Sequence, residues 1–310
     1  MVDELRDFRH NNLFCTGFPG IESIARTAGF WRAGHCEAGT RHLLLAMSDL
    51  PTRFEELHGR LAEALLACRA DADARSVHAL RTTTRRIEAL LQKVLTEHPR
   101  AAKLDRRIEK ALRQLKKVRK AAGPVRDIDV QRKLCAEIVE EVVKRRSEGE
   151  KKAVRDEGAK LDKFLRRQRR DCAKDLGETL REVEVKMERA LTRAGAALAH
   201  VDGISMLKTA KQLVVEGSSA HDSGGDLHSF RKRMKAPRYL AEMQDSSRVA
   251  VTMAKDLKKV LDDIGRWHDL MLLEDTTKSV LGKRSVLTVD IARELDVSLR
   301  KAKRSAARYE

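Results

Sequence analysis

Two basic segments led by a histidine, about 150 residues apart, are the parts of this sequence best suited to chemistry. They contain His78, Arg81, Arg85 and Arg86 in the first copy, and His228, Arg231, Lys235 and Arg238 in the second. Guanidinium and ammonium groups hold phosphate through charge and hydrogen bonds, and a nearby phosphate also stabilises protonated imidazole. The chemistry that this spacing predicts is therefore the binding of an anion.

A lysine-rich segment follows each histidine segment. The first copy contains Lys116, Lys117, Gly123 and Asp127, and the second contains Lys258, Lys259, Gly265 and Asp269 with the same internal spacing. Because two basic elements recur in the same order, the sequence predicts two similar halves that face one anionic ligand.

Helical geometry separates the cationic and apolar faces of these segments. At 100° per residue, His78, Arg81 and Arg85 project within a sector of about 60°, nearly opposite the apolar side chains of the same helix. The second copy places its four basic residues within about 80°. Each helix can therefore pack on one face and bind an anion on the other, and a helix of this kind is long enough to follow several phosphates of a polyphosphate chain.

Composition favours an all-α protein with a polyanionic partner. The 310 residues carry a formal net charge of +17, and only 4% are aromatic and 5 are proline. Such a charge favours nucleic acid, an anionic surface or another phosphate polymer. The low number of aromatic residues disfavours binding of single-stranded nucleic acid by base stacking.

Five widely spaced cysteines indicate neither a disulfide framework nor a zinc knuckle, and they favour a cytoplasmic location. No apolar stretch reaches the length of a membrane span.

Apolar periodicity predicts a series of helices and a three-part organisation. Predicted helices begin near Phe54, cover residues 77–96, 101–122, 125–146, 176–198 and 204–215, and begin again at residues 227, 247, 266 and 286, with a solvated charged segment at 144–175. We expect an N-terminal extension of uncertain structure over residues 1–50, a first helical half over 51–200 and a second over 201–310.

These motifs resemble those of the CHAD domain, a helical family with basic motifs led by histidine. The resemblance covers roughly residues 54–310 and rests on the two histidine motifs and on the segments that begin at Gly123 and Gly265. It implies two similar helical bundles related by a pseudo-twofold axis, with a basic central pore or groove that binds inorganic polyphosphate. The implied binding residues are His78, Arg81, Arg85, Arg86, Lys116, Lys117, Arg126, His228, Arg231, Lys235, Arg238, Lys258 and His268.

Two residues depart from the family pattern. Glu88 stands where the first helix would offer another arginine, and Pro237 lies inside the second helix, where we expect it to kink or end the helix. Both departures predict weaker binding at their ends of the groove and an asymmetric site.

Catalytic and metal-binding motifs give little support for an enzyme. Glu182, Glu184 and Lys186 match the Glu-x-Glu-x-Lys signature of triphosphate-tunnel domains, but the apolar period there is helical and would point the two glutamates about 200° apart. His35, Cys36 and His42 make at most a fragment of a metal site. For Asp127, Asp129 and Asp269 we expect helix N-terminal roles or ion pairs rather than metal binding.

The sequence therefore predicts a cytoplasmic polyphosphate-binding protein without catalytic activity, cofactor or metal. Sequence-independent binding of nucleic acid is the principal alternative, and an enzyme of polyphosphate or triphosphate metabolism is a second one. Association with polyphosphate granules and the oligomeric state are left open.

Overall fold

Long α-helices dominate the computed structural model, which describes residues 50–97, 102–199, 201, 205–222 and 226–309. The α-helices in these ranges are α1 Leu50–Ala70, α2 Ala74–Glu97, α3 Ala102–Arg145, α4 Glu148–Leu198, α5 Met206–Asp222, α6 Leu227–Glu242, α7 Arg248–Leu281 and α8 Val286–Ala306, followed by a 3₁₀ turn at Ala307–Tyr309. The described ranges contain no β-strand, and the all-α prediction is confirmed. Residues 1–49, which hold almost all of the predicted N-terminal extension with His35, Cys36 and His42, lie outside them.

Three of the helices are longer than the sequence pattern predicts. The two helices predicted over 101–146 are one continuous helix, α3, and the charged segment at 144–175 continues into the next predicted helix as the single helix α4. The helix predicted to begin at residue 266 is likewise the second part of α7. In each case apolar residues on both sides of the expected break are buried against neighbouring helices, and this packing outweighs the weak local preference.

Two prolines, Pro124 and Pro237, lie in the interior of helices. Pro124 lies within α3 and is exposed, whereas Pro237 is buried in α6, which continues for five residues beyond it. The prediction that Pro237 could end its helix is therefore wrong. A proline removes one backbone hydrogen bond, and buried side chains such as Val125 and Leu240 on the far side of each proline stabilise the continued helix.

The buried apolar side chains form three clusters. The first joins α1, α2, the N-terminal half of α3 and the C-terminal half of α4, with a few residues from α5, α6 and α7. The third joins α6, the N-terminal half of α7 and the C-terminal half of α8. The second lies between the C-terminal half of α3, the N-terminal half of α4, the C-terminal half of α7 and the N-terminal half of α8. Residues from both predicted halves thus share one core.

The division at residues 200 and 201 and the pseudo-twofold axis stay predictions. The first and third clusters belong mainly to one predicted half each, whereas the second cluster is shared between both. In the described part of the chain, no helix combines the length and the apolar character that crossing a membrane requires.

Candidate functional site

Helices α2 and α6 carry the two histidine segments, and an aspartate fixes the beginning of each helix. The Asp73 carboxylate accepts a hydrogen bond from the Ser76 backbone N–H at 2.6 Å, and Asp226 accepts one from Ser229 at 2.6 Å. These bonds satisfy backbone donors that the first turn leaves free, and they lower the pKa of both carboxyl groups. The apolar faces of both helices are fully buried, so each basic face has a fixed orientation.

An arginine from each histidine helix lies against a glycine of a neighbouring helix. A Cβ atom placed on Gly123 of α3 would lie 3.0 Å from Arg81 Nη1, and one placed on Gly265 of α7 would lie 3.5 Å from Arg231 Nη2. At Gly123 the distance is tight, so the absence of a Cβ allows the guanidinium to approach the helix backbone, whereas 3.5 Å at Gly265 is an ordinary van der Waals distance. The same pairing of an arginine with a glycine occurs in both copies, and it is closer in the first.

Four cations from α2 and α6 come together, and we call Arg81, Arg85, Arg231 and Lys235 the central basic cluster. Burial first, and then the positive charges of Arg231, Arg85 and Arg81, together lower the pKa of Lys235 to about 6. Burial also lowers the pKa values of Arg81 and Arg85. Cations that are far apart in the sequence therefore repel each other across α2 and α6, and a polyanion bound between them would relieve this repulsion.

Few carboxylates offset the charge of the central basic cluster. Asp127 Oδ1 lies 3.9 Å from Arg81 Nη2. The charge of Asp269 raises the pKa of Lys235, but this effect is smaller than the lowering caused by burial and the arginines. The Nε atom of Arg231 is buried and has no hydrogen-bond partner in the described residues. Asp127 and Asp269 lie in the middle of α3 and α7, so of the two predicted roles the one at a helix N-terminus does not apply. The other predicted role, an ion pair with a nearby basic residue, holds for Asp127, which pairs with Arg81.

His78 lies at one end of the cluster among arginines from three helices. Burial lowers its pKa most, and the charges of Arg126, Arg86 and Arg238 lower it further. Arg86 Nη2 and Arg238 Nε donate to the same carboxylate, that of Glu242, at 3.0 Å and 2.8 Å. This end therefore has three guanidinium groups, two of which share one acidic partner.

His228 lies beside a second histidine instead of an arginine. Its ring stacks on His268, with ring centroids 5.0 Å apart and an angle of 15° between the rings. Burial lowers the pKa of His228 most, followed by the charges of Lys232 and His268. His268 Nδ1 lies 3.6 Å from Asp269 Oδ1, and in the described part of the chain this nitrogen has no hydrogen-bond partner. The two ends thus differ, with Arg126 near His78 and His268 near His228.

Three predicted binding lysines are exposed and not part of this convergence. Lys116 and Lys117 lie on α3, and Lys117 Nζ is 3.7 Å from Glu182 of α4. Lys258 lies on α7 and forms an ion pair with Asp262 at 2.7 Å. Lys116 and Lys258 are each two turns from the glycine on nearly the same helix face, so they flank the cluster rather than line it.

Comparison with known families agrees with these motifs. The model of the CHAD domain matches residues 52–278, which is most of the chain. The chain belongs to the CHAD domain family. A crystal structure of the CHAD domain from the plant Ricinus communis matches with a TM-score of 0.51 and 17% sequence identity, over 83% of this chain and 86% of that chain. That likeness supports the CHAD fold, and no curated protein matches the sequence.

Some residues of this CHAD domain escaped sequence reasoning because their partners are distant in the sequence. Arg119 of α3 donates to Glu88 at 3.0 Å, so the departure at Glu88 brings in a further cation. Tyr239 is buried beneath the Arg238 guanidinium, which lies 5.5 Å from the ring centroid. Helical spacing could have suggested Arg119 as a residue of the site, because Arg119 and the predicted binding residue Arg126 project within about 20° of each other from α3. No sequence pattern indicated that Glu242 would bind two arginines.

The helical position of the Glu-x-Glu-x-Lys string agrees with the sequence prediction. All three residues lie in α4, where Glu182 pairs with Lys117 and Glu184 pairs with Arg69 at 3.0 Å. The two carboxylates therefore neutralise separate cations. Asp129, the other acidic residue considered, forms an ion pair with Arg169 of α4. Within the described ranges, no three potential metal ligands lie close enough to hold an ion.

Proposed function

We propose that this CHAD domain binds inorganic polyphosphate between α2 and α6 without catalysing a reaction. The observation that supports the proposal most is the convergence of Lys235 with three arginines from both helices, whose charge Asp127, Asp269 and Glu88 offset only in part. A cluster of partly buried cations is costly without a counterion, and a chain of phosphates supplies several anionic groups at once. The cluster is therefore suited to a polyanion rather than to one small anion.

The basic residues extend along both helices beyond the cluster. His78 lies seven residues before Arg85, and His228 lies seven residues before Lys235, so each helix contributes a row about 10 Å long. An extended phosphate chain can contact both rows and the cluster between them. On this basis the pseudo-twofold relation and the basic groove belong to the proposal, together with a cytoplasmic location.

A titration with long-chain polyphosphate tests the binding site. We expect the unchanged protein to bind tightly at low salt, and we expect a His78→Ala/His228→Ala double variant to bind more weakly. The double substitution removes two imidazoles at the ends of the cluster, and a bound anion would stabilise their protonated, hydrogen-bond-donating form. A matched control is His58→Ala, because His58 pairs with Glu188 outside the cluster. Unchanged affinity in the double variant would refute the site assignment even if the protein binds polyphosphate.

Sequence-independent binding of nucleic acid is the alternative that uses the same charges. Duplex DNA presents phosphates on a wide, stiff surface, whereas the cations of the cluster are only partly accessible between two helices. We therefore expect polyphosphate to displace a labelled DNA duplex at equal phosphate concentration and moderate salt. Displacement in the opposite direction would favour nucleic acid as the ligand.

The absence of catalysis is a separate part of the proposal. Glu182 and Glu184 are paired with cations on different helices, so they are poorly placed to hold one metal ion. We expect no phosphate release from polyphosphate in the presence of Mg²⁺ or Mn²⁺. Release that is lost in a Glu182→Ala variant would identify the chain as an enzyme of this class.

A further inference from the structure

A row of exposed cations on α3 leads to the central basic cluster. The row consists of Lys110, Arg113, Lys116 and Lys120, all of which are exposed. They lie within a sector of about 120° and span about 15 Å, and Gly123 follows Lys120 by less than one turn. Arg81, which packs on Gly123, therefore continues the row into the cluster. We call these four residues the α3 row.

The cations of the α3 row are largely free of acidic partners. Arg113 Nη1 is 3.9 Å from Glu109, which is a weak contact between two exposed groups. Lys110, Lys116 and Lys120 form no ion pair or hydrogen bond with any described residue. The row therefore presents positive charge that the described residues leave largely unneutralised.

The equivalent face of α7 has a different charge. At the same distances before Gly265 it carries Thr252, Lys255, Lys258 and Asp262. Asp262 takes the place of Lys120 and forms an ion pair with Lys258 at 2.7 Å. The turn next to the cluster is therefore neutralised on α7 and cationic on α3.

This difference gives a long ligand a preferred direction. One exposed lysine contributes little to binding, but a chain already held in the cluster presents its next phosphates to the row at high effective concentration. Each phosphate that the row neutralises also releases counterions. This gain in affinity is larger along α3, which carries four cations on this face, than along α7, which carries Lys255 and the paired Lys258.

We propose that the α3 row is a second binding segment, along which polyphosphate longer than the central basic cluster leaves the site. This inference rests on the proposed function and adds to it a preference for long chains. Short phosphate oligomers occupy the cluster alone, whereas long chains contact the cluster and the α3 row together.

Removal of charge from the row tests the inference. We compare a Lys110→Gln/Arg113→Gln/Lys120→Gln variant with a matched Arg248→Gln/Lys255→Gln/Lys259→Gln variant of α7, in which three exposed cations are also lost. Affinity for long-chain polyphosphate should fall about tenfold or more in the α3 variant, and its log–log salt dependence should decrease by roughly 2. Affinity for tripolyphosphate should stay unchanged, and the α7 variant should lose much less.

A substitution that adds charge provides the converse test. Asp262→Lys removes the partner of Lys258 and gives the α7 face three of the four cations that α3 has, so affinity for long chains should rise while affinity for tripolyphosphate changes little. Equal losses in the α3 and α7 variants, or no gain in Asp262→Lys, would overturn the inference. If the inference about the α3 row fails in this way but the unchanged protein binds tripolyphosphate and long-chain polyphosphate, the proposed function still holds. If neither tripolyphosphate nor long-chain polyphosphate binds, the proposed function itself fails.

Discussion

Lys235 is the residue whose protonation the fold alters most within the central basic cluster. Its pKa of about 6 results first from burial and then from Arg231, Arg85 and Arg81, with Asp269 of α7 as the opposing charge. In the unfolded chain a lysine holds its proton to much higher pH. Between these two pH values the unfolded chain binds the extra proton, so the stability of the unliganded protein rises with pH across this interval. An unoccupied site thus lowers stability near neutral pH.

Lys235→Met should stabilise the unliganded protein and weaken binding. The substitution replaces a buried amine with an apolar side chain of similar length, and we expect the free energy of unfolding at neutral pH to rise by about 1–2 kcal/mol. Urea unfolding measures this gain, and titration with polyphosphate measures the loss of affinity. Lys211→Met, at an exposed site on α5, should change neither quantity by much. A Lys235→Met variant that is less stable than the unchanged protein would contradict the burial argument.

Binding of a polyanion should take up protons. The pKa values of His78, His228 and Lys235 are lowered in the free site, and a bound anion raises all three. Affinity should therefore be highest at low pH and fall as pH rises above about 6, by at most tenfold per pH unit for each proton taken up. Isothermal titration in buffers of different ionisation enthalpy measures the proton uptake directly. Affinity that rises with pH would contradict the prediction.

At the scale of elements, the helical glycines have two different roles: one makes room for a side chain of the candidate site, and others allow close packing between helices. Gly123→Ala should displace the Arg81 guanidinium, which is the flexible end of a side chain, and so weaken binding with little loss of stability. A Cβ on Gly158 of α4 would instead lie 2.7 Å from Val139 Cγ2, and one on Gly195 would lie 2.9 Å from the Phe54 ring. We expect alanine at either of these two positions to destabilise the helix packing by about 1–3 kcal/mol.

Gly59 provides the matched control for these three substitutions. No atom lies within 4 Å of a Cβ at this exposed position in α1, so Gly59→Ala should stabilise the protein by about 0.5–1 kcal/mol through helix propensity alone. Thermal unfolding and polyphosphate titration on all four variants test the whole set. Destabilisation by Gly59→Ala, or unchanged binding in Gly123→Ala, would show that the glycines have other roles.

The sequence predicted the helices well where apolar spacing was regular and poorly where helices continue through a local break. Gly123 and Pro124 are both unfavourable in a helix, and they led to a predicted division of α3. The helix continues because Ala122 and Val125 are buried on either side of the break. Tertiary packing of this kind depends on distant residues, so a local pattern could not reveal it.

At the scale of the whole molecule, the shared second core links the two predicted halves. Ile138 and Leu161 from the first half pack in the same cluster as Leu273 and Leu287 from the second. Separation of the halves would expose the apolar surface of this cluster on both, at a free-energy cost of about 25 cal/mol for each Å² of apolar area. The residues of the site are therefore held by a core that neither half completes alone.

We expect residues 50–309 to unfold in a single cooperative transition. Trp267 packs against the third cluster, so its fluorescence reports on the second half, whereas circular dichroism reports on all helices. A Trp31→Phe variant leaves Trp267 as the single tryptophan of the sequence. Urea transitions measured on this variant by fluorescence and by circular dichroism should coincide. An earlier transition by fluorescence would indicate that the second half unfolds independently.

The site was predictable in its residue types but not in its connections. The repeated spacing was sufficient to select His78, Arg81, His228 and Arg231, because equal spacing gives equal faces on any helix. The stacking of His228 on His268 and the contact of Arg86 with Glu242 depend on how the helices pack. These contacts join residues 40 or more positions apart, and one sequence without its fold does not specify them.

Glu242 already occupies part of the site as an internal anion. Its carboxylate is held between Arg86 and Arg238, so an incoming anion gains these guanidinium groups only if it displaces Glu242. A monovalent anion would replace one negative charge with another and gain little. A chain anchored elsewhere in the cluster pays no further translational entropy for the exchange. Under the proposed function, Glu242 would therefore compete with incoming anions and favour ligands that carry several negative charges.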